Sequence, residues 1–538
     1  MRGPQKEVVD EIMRLFQQEK GRRGNWESHW QEIKERIWPS TADFTSSYTT
    51  QGNKRNEQRY DSTAATALNR FAAILDSYLT PRNQTWHRLQ AQDDELNKNR
   101  EVRLYYENVN RILFKYRYAN VANFASQNIM YNKSLGAFGS ALSFVDQSVT
   151  EPGIRYKTCH LGEMYIMENH QGIIDQVIRH FSMTARQVIQ KWKDKTPDFI
   201  KEAYQKDQGR EFWFIHYVGP RDDYEIDRLD FKGMPWRSHY ISVQGAVHME
   251  EGGYNTWPYP SSRYEQSPNE VFGRSPAMEV LPEIKTLNEQ KKTYLKQGHR
   301  AVDPVILTHD DGILDTFSLK PGAINAGGVN RDGRPLVHTL PIGNIQAGKE
   351  MMDDEKAAIK DVFLVTLFQI LMETPQMTAT EVMERTREKG ILLAPMLGRQ
   401  QSERLGPQVE RELDVLARQG LLPPLPGILR EAGAAFKVEY DSPFSRAQRA
   451  EEASGLMRTI ESLLQIANAT GNPAPLDHFD WDTITPELSD INAVPVKWRL
   501  SMEQVASIRE GRAQQAQQQQ MIQAAPAAAA MMKATKPK

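Results

Sequence analysis

The stretch Leu281-Pro-Glu-Ile-Lys-Thr-Leu-Asn-Glu-Gln-Lys-Lys-Thr-Tyr-Leu-Lys-Gln-Gly-His-Arg300 acquires two distinct faces when wound as a helix. At about 3.6 residues per turn, Leu281, Ile284, Leu287, Tyr294 and Leu295 fall on one side. Lys285, Lys292, Lys296 and His299 fall on another, with Glu289 among them and Arg300 at its edge. One copy of such a face reads as a solvated surface. Repeated around a ring, the same face becomes stacked belts of positive charge that attract phosphate without reading base sequence.

Upstream, the pattern is helical at first. Trp26, Trp30, Ile33 and Ile37 recur at helical spacing until Pro39. A second helix is predicted from Asp61 to Leu79, with Ala64, Ala65, Leu68, Phe71, Ala72, Leu75 and Leu79 on its apolar face. Asp61 or Ser62 serves as its cap and Pro81 as its stop. A third helical stretch covers Asp94 to Leu135. From Gly136 to about residue 260 the texture changes to short β-branched and aromatic runs between turn residues. Ala141–Val145, Met164–Met167, Val177–Phe181, Phe212–Val218 and His239–Val243 read as strands, with one helix at Thr184–Trp192.

Downstream, strands are predicted near Val305–Thr308 and Leu336–Leu340, then a helix over 349–372. Its apolar residues are two-sided: Ile359, Val362, Phe363, Thr366, Leu367 and Ile370 on one face, and Leu364, Val365 and Phe368 off it. Such a helix needs neighbours to cover it. Another helix opens on the capping-box pattern Thr378 to Glu381 and runs, with breaks at Gly390 and Pro395, to Gly420. A strand at Ala435–Tyr440 and a helix at Ser445–Ala467 follow. The Gln/Ala-rich tail from Glu503 reads as helix to Gln523 and then as a disordered end. The fold class is α+β, mainly helical, with one β-rich region.

Composition narrows the function. The 538 residues suggest three or four domain-sized units, and 39% hydrophobic content suffices for a core. Basic and acidic residues nearly cancel, 67 against 69, for a net charge of -2. Any contact with nucleic acid must therefore come from a local patch or from assembly. The single cysteine, Cys159, excludes an intrachain disulfide and a cysteine zinc cage within one chain, as expected for a reducing cytosol. The most apolar run, Val362–Met372, is too short for a membrane helix, and the N-terminus lacks a signal-peptide core. A soluble, non-secreted chain is expected, without membrane partners.

Catalytic patterns fail on inspection. Gly343-Asn-Ile-Gln-Ala-Gly-Lys349 fits the glycine and lysine spacing of a phosphate-cradling loop. The next residue must be Ser or Thr to hold magnesium, and here it is Glu350, which repels a triphosphate. Cys159-His160 lacks a surrounding cluster. The acidic groups Asp93-Asp94-Glu95, Asp310-Asp311 and Asp353-Asp354-Glu355 read as solvated faces or helix starts. No catalytic residue, metal site or cofactor is expected.

Several stretches, taken in order, resemble the portal (head-to-tail connector) proteins of short-tailed bacteriophages. They are Trp26–Pro39; Arg59–Ala64, Phe71–Pro81 and Trp86–Leu89; the glycine turn Gly136–Ala141; and Gly172–Ala185. Val271-Phe-Gly-Arg-Ser-Pro276 with Leu281-Pro282, Thr378–Val382 and Tyr440–Phe444 complete the set. The likeness covers roughly residues 20 to 450. Phe272 stands where the family pattern has Tyr, and His87 where it has an aromatic residue.

The resemblance implies a homo-dodecameric ring at a unique capsid vertex, assembled in the host cytoplasm and retained in the virion. It implies a wing over 1–280, helical to 135 and β-rich over 136–260. A first stem helix then falls at 281–300, a clip at 301–345, a second stem helix at 346–372 and a channel loop at 373–378. A wing return at 379–443, a crown at 444–500 and a tail at 501–538 complete the chain. Lys285, Lys292, Lys296, His299 and Arg300 become candidate channel-lining residues, and Glu373, Thr374, Pro375, Gln376 and Met377 the candidate channel loop. Implied partners are double-stranded DNA held non-specifically, the terminase large subunit, a tail adaptor, and capsid and scaffolding proteins. The alternatives are a packaging ATPase built on Gly343–Lys349, or another head-tail adaptor ring.

Overall fold

The computed structural model describes residues 4–45, 52, 59–82, 84–308, 318, 320–340, 345–366, 395–433, 436–440, 443–471, 474–491, 494, 498–500 and 504–515. They sort into two compact units. One comprises Met1–Arg82 with Tyr116–Gln419, and the other Asn83–Lys115 with Gly420–Lys538.

The first unit is built on a five-stranded antiparallel sheet. In spatial order its strands are β4 (Met164–Glu168), β5 (Ile174–Thr184), β6 (Glu211–Pro220), β7 (Trp236–Ser242) and β8 (Val247–Tyr254). Alternate side chains of a strand face opposite sides, so β6 serves two cores. Phe212 and Phe214 pack with Val188, Trp192, Ile200 and Ala203 of the short helices α7 (Ala185–Trp192) and α8 (Asp198–Lys206). Ile215 and Tyr217 pack with Val9, Ile12 and Phe16 of α1 (Pro4–Arg22). The predicted helix at Thr184–Trp192 forms with a complete capping box: Thr184 accepts from the Gln187 amide, and the Gln187 side chain accepts from the Thr184 amide.

Helices α2 (Gly24–Arg36), α3 (Thr63–Leu79) and α6 (Phe124–Phe138) form the helical side of this unit. Trp30, Ile33 and Ile37 are buried, as their spacing predicts. Of the two proposed caps of α3, Asp61 acts: its carboxylate accepts from the Thr63 amide at 2.7 Å, while Ser62 makes no side-chain cap bond. The helix expected over 94–135 is divided into α4 (Asp94–Asn97), α5 (Arg100–Arg117) and α6. Asn123 sits at φ 59°, a left-handed conformation Asn tolerates better than most residues, and it marks the last break. Gly139 ends α6 at φ 76°, and a Cβ there would lie 2.1 Å from the Gly273 carbonyl oxygen. The chain then enters β2 (Ser140–Gln147), which pairs with β3 (Ile154–Cys159) and β9 (Ser261–Arg263).

Helix α12 (Gly406–Arg418) meets that small sheet with polar side chains. Glu412, fully buried, accepts from Arg117, from the Tyr156 hydroxyl at 2.7 Å and from Gln408 at 2.7 Å. Arg411 donates to the Val145 carbonyl at 3.0 Å and pairs with Asp146 and Asp414. Residues Gln400–Leu405 just before it form a π-helical turn, ahead of Pro407, which has no amide to donate. Gly420 follows α12 at φ 66°, the conformation expected of a C-terminal glycine.

The second unit is tied by two strands distant in sequence. β1 (His87–Ala91) pairs antiparallel with β12 (Phe436–Tyr440), from His87↔Tyr440 to Ala91↔Phe436. Trp86 is buried against Phe114 of α5, and Asn110 donates to the His87 carbonyl at 3.1 Å. Val102, Tyr106, Val109 and Leu113 make the buried stripe of α5. Helices at Pro443–Thr470 and Trp481–Ile491 follow β12, and residues 504–515 are helical. No helix among the described residues is long and apolar enough to cross a membrane.

Candidate nucleic-acid interface

The two-faced stretch forms one helix, α10 (Leu281–Val302). Ser275 starts the approach to it: its hydroxyl accepts from the Met278 amide and donates to the Ala137 carbonyl at 2.9 Å. Pro282 sits in the first turn, where a missing amide costs nothing. Leu281, Ile284, Leu287 and Asn288 are buried. The Asn288 side chain accepts from the Tyr60 amide at 2.8 Å and fixes this half of the helix to the chain before α3. Beyond Asn288 the expected apolar face changes character: Tyr294 is half-buried, and Leu295 is 40% exposed.

The five candidate basic residues differ in their surroundings. Lys285 pairs with Glu32 of α2 at 2.6 Å. Burial alone would raise the Glu32 carboxyl, but the hydrogen bonds and charges of Lys285 and Arg36 hold it below the usual carboxylate range. Lys292 pairs with Glu289 on its own helix at 3.3 Å, and its ammonium lies 5.9 Å from the Tyr60 ring centroid. Lys296, His299 and Arg300 are exposed and have no ion-pair partner among the described residues. His299 and Arg300 occupy the last turn, where the helix dipole favours positive charge. The solvent-facing charge is thus concentrated in the second half of α10, and Lys285 is partly spent on holding α2.

Helix α11 (Ile345–Val362) packs along α10 and onto α3. The helix expected over 349–372 starts earlier, at Ile345, and is interrupted at Phe363–Leu364. Leu364 adopts φ 61°, a left-handed conformation that costs roughly 1–2 kcal/mol for a residue with a side chain. The break has a packing reason. Phe363 and Val365, both buried, are two positions apart, so a continuous helix would aim them to opposite sides. Phe363 meets the Phe71 ring edge-on at 6.2 Å. The channel-loop candidates Glu373, Thr374, Pro375, Gln376 and Met377 lie outside the described residues, as do Asp310, Asp311 and Gly343.

The other chemical candidates are occupied in structural roles. Gly348, Lys349 and Glu350 lie inside α11, and Gln346 donates to the Glu350 carboxylate at 3.3 Å. Ile345 to Lys349 are helical, where a phosphate-cradling loop would keep the backbone open ahead of its lysine. The Cys159 thiol is buried, and burial pushes its pKa up. His160 accepts from the Gly162 amide at 3.2 Å, lies against Phe44, and is drawn down to about 4 by burial. Asp93 caps α4, and Asp353 pairs with Lys356 at 2.8 Å.

Comparison with known proteins finds relatives along most of the chain. The family model described as bacteriophage head to tail connecting protein matches residues 9–499. The probable portal protein of Bordetella phage BPP-1 is 29% identical over 506 residues, covering 92% of this chain and 89% of that protein. The portal protein of Salmonella phage epsilon15 is 28% identical over 523 residues, covering 94% and 92% respectively. A chain from the virion of a native gene transfer agent particle is 12% identical, with a TM-score of 0.36 over 79% of this chain and 94% of its own.

Proposed function

The chain belongs to the bacteriophage head-to-tail connecting protein family, and on that premise we propose that it forms a dodecameric portal ring at a unique capsid vertex. The ring is the conduit for genome packaging and ejection, and it acts without catalysis. Residues 1–280 are the wing, α10 and α11 the stem, 301–345 the clip and 444–500 the crown. Lys292, Lys296, His299 and Arg300 face the DNA, with Lys285 closer to the wing. The loop around Glu373–Met377 borders the channel. The clip docks the terminase large subunit during packaging and a tail adaptor afterwards, while capsid and scaffolding proteins surround the wing.

The observation that carries this reading is the division of α10. Its first half is pinned by Leu281, Ile284, Leu287 and Asn288, while its second half offers Lys296 and Arg300, without ion-pair partners among the described residues, beside exposed Leu295 and Val302. Repeated cations without base-reading geometry hold DNA loosely enough for it to slide. Exposed apolar residues on the same half are what a neighbouring copy would cover. Negative-stain imaging and native mass spectrometry of the purified full chain test the ring. Closed rings with an opening wide enough for duplex DNA are expected. Monomers and dimers under every assembly condition would refute the proposal, and a ring too narrow for duplex DNA would favour a different adaptor.

A further inference from the structure

A ring of identical chains needs two different surfaces on each copy that fit one another. The five-stranded sheet carries such a pair at its two ends. At one end is the loop 221–235, which joins β6 to β7. At the other is the α7–α8 hairpin, bound to the start of β6 by bonds from the Ala185 amide to the Arg210 carbonyl and from the Arg186 amide to the Gln208 carbonyl. The ten residues of β6 hold the loop roughly 30 Å from the Phe199 end of the hairpin, which lies beside the β7–β8 turn at Gly245. The loop of one copy therefore cannot fold back onto its own hairpin.

The loop is braced, yet it displays apolar side chains. Arg221, buried at its base, pairs with Asp223 and Glu251 and donates to the Gly252 carbonyl at 2.9 Å. Its guanidinium lies 5.3 Å from the Phe231 ring centroid. The Glu225 amide donates to the Lys232 carbonyl at 3.1 Å, and Arg228 pairs with Asp230. At Gly233 a Cβ would lie 1.8 Å from the Arg228 carbonyl oxygen, so the loop closes tightly there. From this fixed frame Ile226 and Leu229 stand 76% and 103% exposed, beside Tyr224. Asp222, Asp223, Glu225, Asp227 and Asp230 outnumber Arg221, Arg228 and Lys232 around them.

The hairpin has the opposite character. Arg186, Lys193, Lys195, Lys201, Lys206 and Arg210 outnumber Asp194, Asp198, Glu202 and Asp207, while Lys191 turns its ammonium onto the Tyr240 ring of the sheet. Phe199 is 38% exposed in their midst, and Ile189 is half-buried. A preorganised apolar tip with an acidic rim is thus complementary to an apolar spot with a basic rim. We propose that loop 221–235 of each copy docks on the α7–α8 hairpin of the next, with Ile226 and Leu229 against Phe199 and carboxylates of the loop facing Lys193 and Lys195. This rests on the ring reading, and it names the contact that joins neighbouring wings.

The test uses the full chain with Ile226→Cys and Phe199→Cys together, oxidised after assembly, with Cys159 as the buried background thiol. A ladder of covalent multimers on a non-reducing gel is expected, while either substitution alone gives none. Rings seen by imaging of the same sample, but without a ladder, overturn this contact and leave the ring reading standing. No rings from the unaltered chain overturn both. A charge exchange gives a second readout. Asp222→Lys with Asp227→Lys, or Lys193→Glu with Lys195→Glu, should each lower ring yield about tenfold, and combining all four should restore most of it. If the loop variant makes normal rings that fail to enter particles, the loop serves another protein and the inference is wrong.

Discussion

Replacing Arg117 by Leu tests whether the buried polar cluster under α12 holds the first unit together. Arg117 and Glu412 are both fully buried, and the guanidinium reaches the carboxylate through Nε at 3.1 Å and through Nη2. Burial alone would lower the Arg117 pKa, but Glu412 and Tyr156 more than offset it. Removing one partner of a buried pair typically costs about 3–5 kcal/mol, because the remaining charge stays in a dry site. Tyr156 and Gln408 still donate to Glu412, which places the expected loss near the lower end, at about 3 kcal/mol. At roughly 1.2 °C per kcal/mol for a unit this large, the thermal midpoint should fall by about 4 °C. Scanning calorimetry at pH 7 measures it. The paired substitution Arg117→Met with Glu412→Leu should cost less than Arg117→Leu alone, since no buried charge is stranded. A single variant within about 1 kcal/mol of the unaltered protein would refute the reasoning, as would a pair worse than the sum of its singles.

Three further outcomes are expected. Lys292→Glu with Lys296→Glu should leave ring assembly intact and sharply reduce DNA packaged per particle; normal packaging would make the α10 charges mere solvated surface. Gly139→Ala should destabilise the first unit by about 2 kcal/mol or more, from the left-handed backbone and the collision with the Gly273 carbonyl, as read by urea unfolding. Acid should weaken the β-rich region, because burial draws His160 and His180 to about 4 and His239 to about 3 and also lowers His216 and His248. These groups fold best uncharged, so their contribution is complete above about pH 6.5 and is lost as pH falls from there toward 4. A midpoint that stays flat from pH 7 to pH 4.5 would contradict this.

Much of the fold could be read from residue spacing. The stripes of α2, α3 and α10 and the strands β5, β6 and β7 follow directly from apolar period. The parts that could not be read have distinct physical causes, the first of them polar residues turned inward. Gln400, Arg404, Gln408 and Glu412, at four-residue spacing, and Arg411 beside them look like a solvent face, yet all are buried and bond to one another or to α5, α6, β2, β3 and β9. Strand β8 was hidden by Glu250-Glu251 and Gly252-Gly253, which are poor strand formers. The break at Leu364 follows from burial of both Phe363 and Val365, which no periodicity announces. Within the candidate site, the basic face was legible, but its division was not. Only tertiary structure puts Glu32 beside Lys285 and leaves Lys296 and Arg300 open.

The pairing of β1 with β12 has a consequence during synthesis. The two strands are separated by the 344 residues between Ala91 and Phe436. At about 5–20 residues per second, a ribosome needs roughly 20–70 s between them. For that time β1 has emerged with its backbone edge unmatched, an invitation to pair with another nascent chain. A message truncated before codon 436 would leave that edge open permanently, so premature termination late in this chain should yield aggregates rather than a shortened subunit.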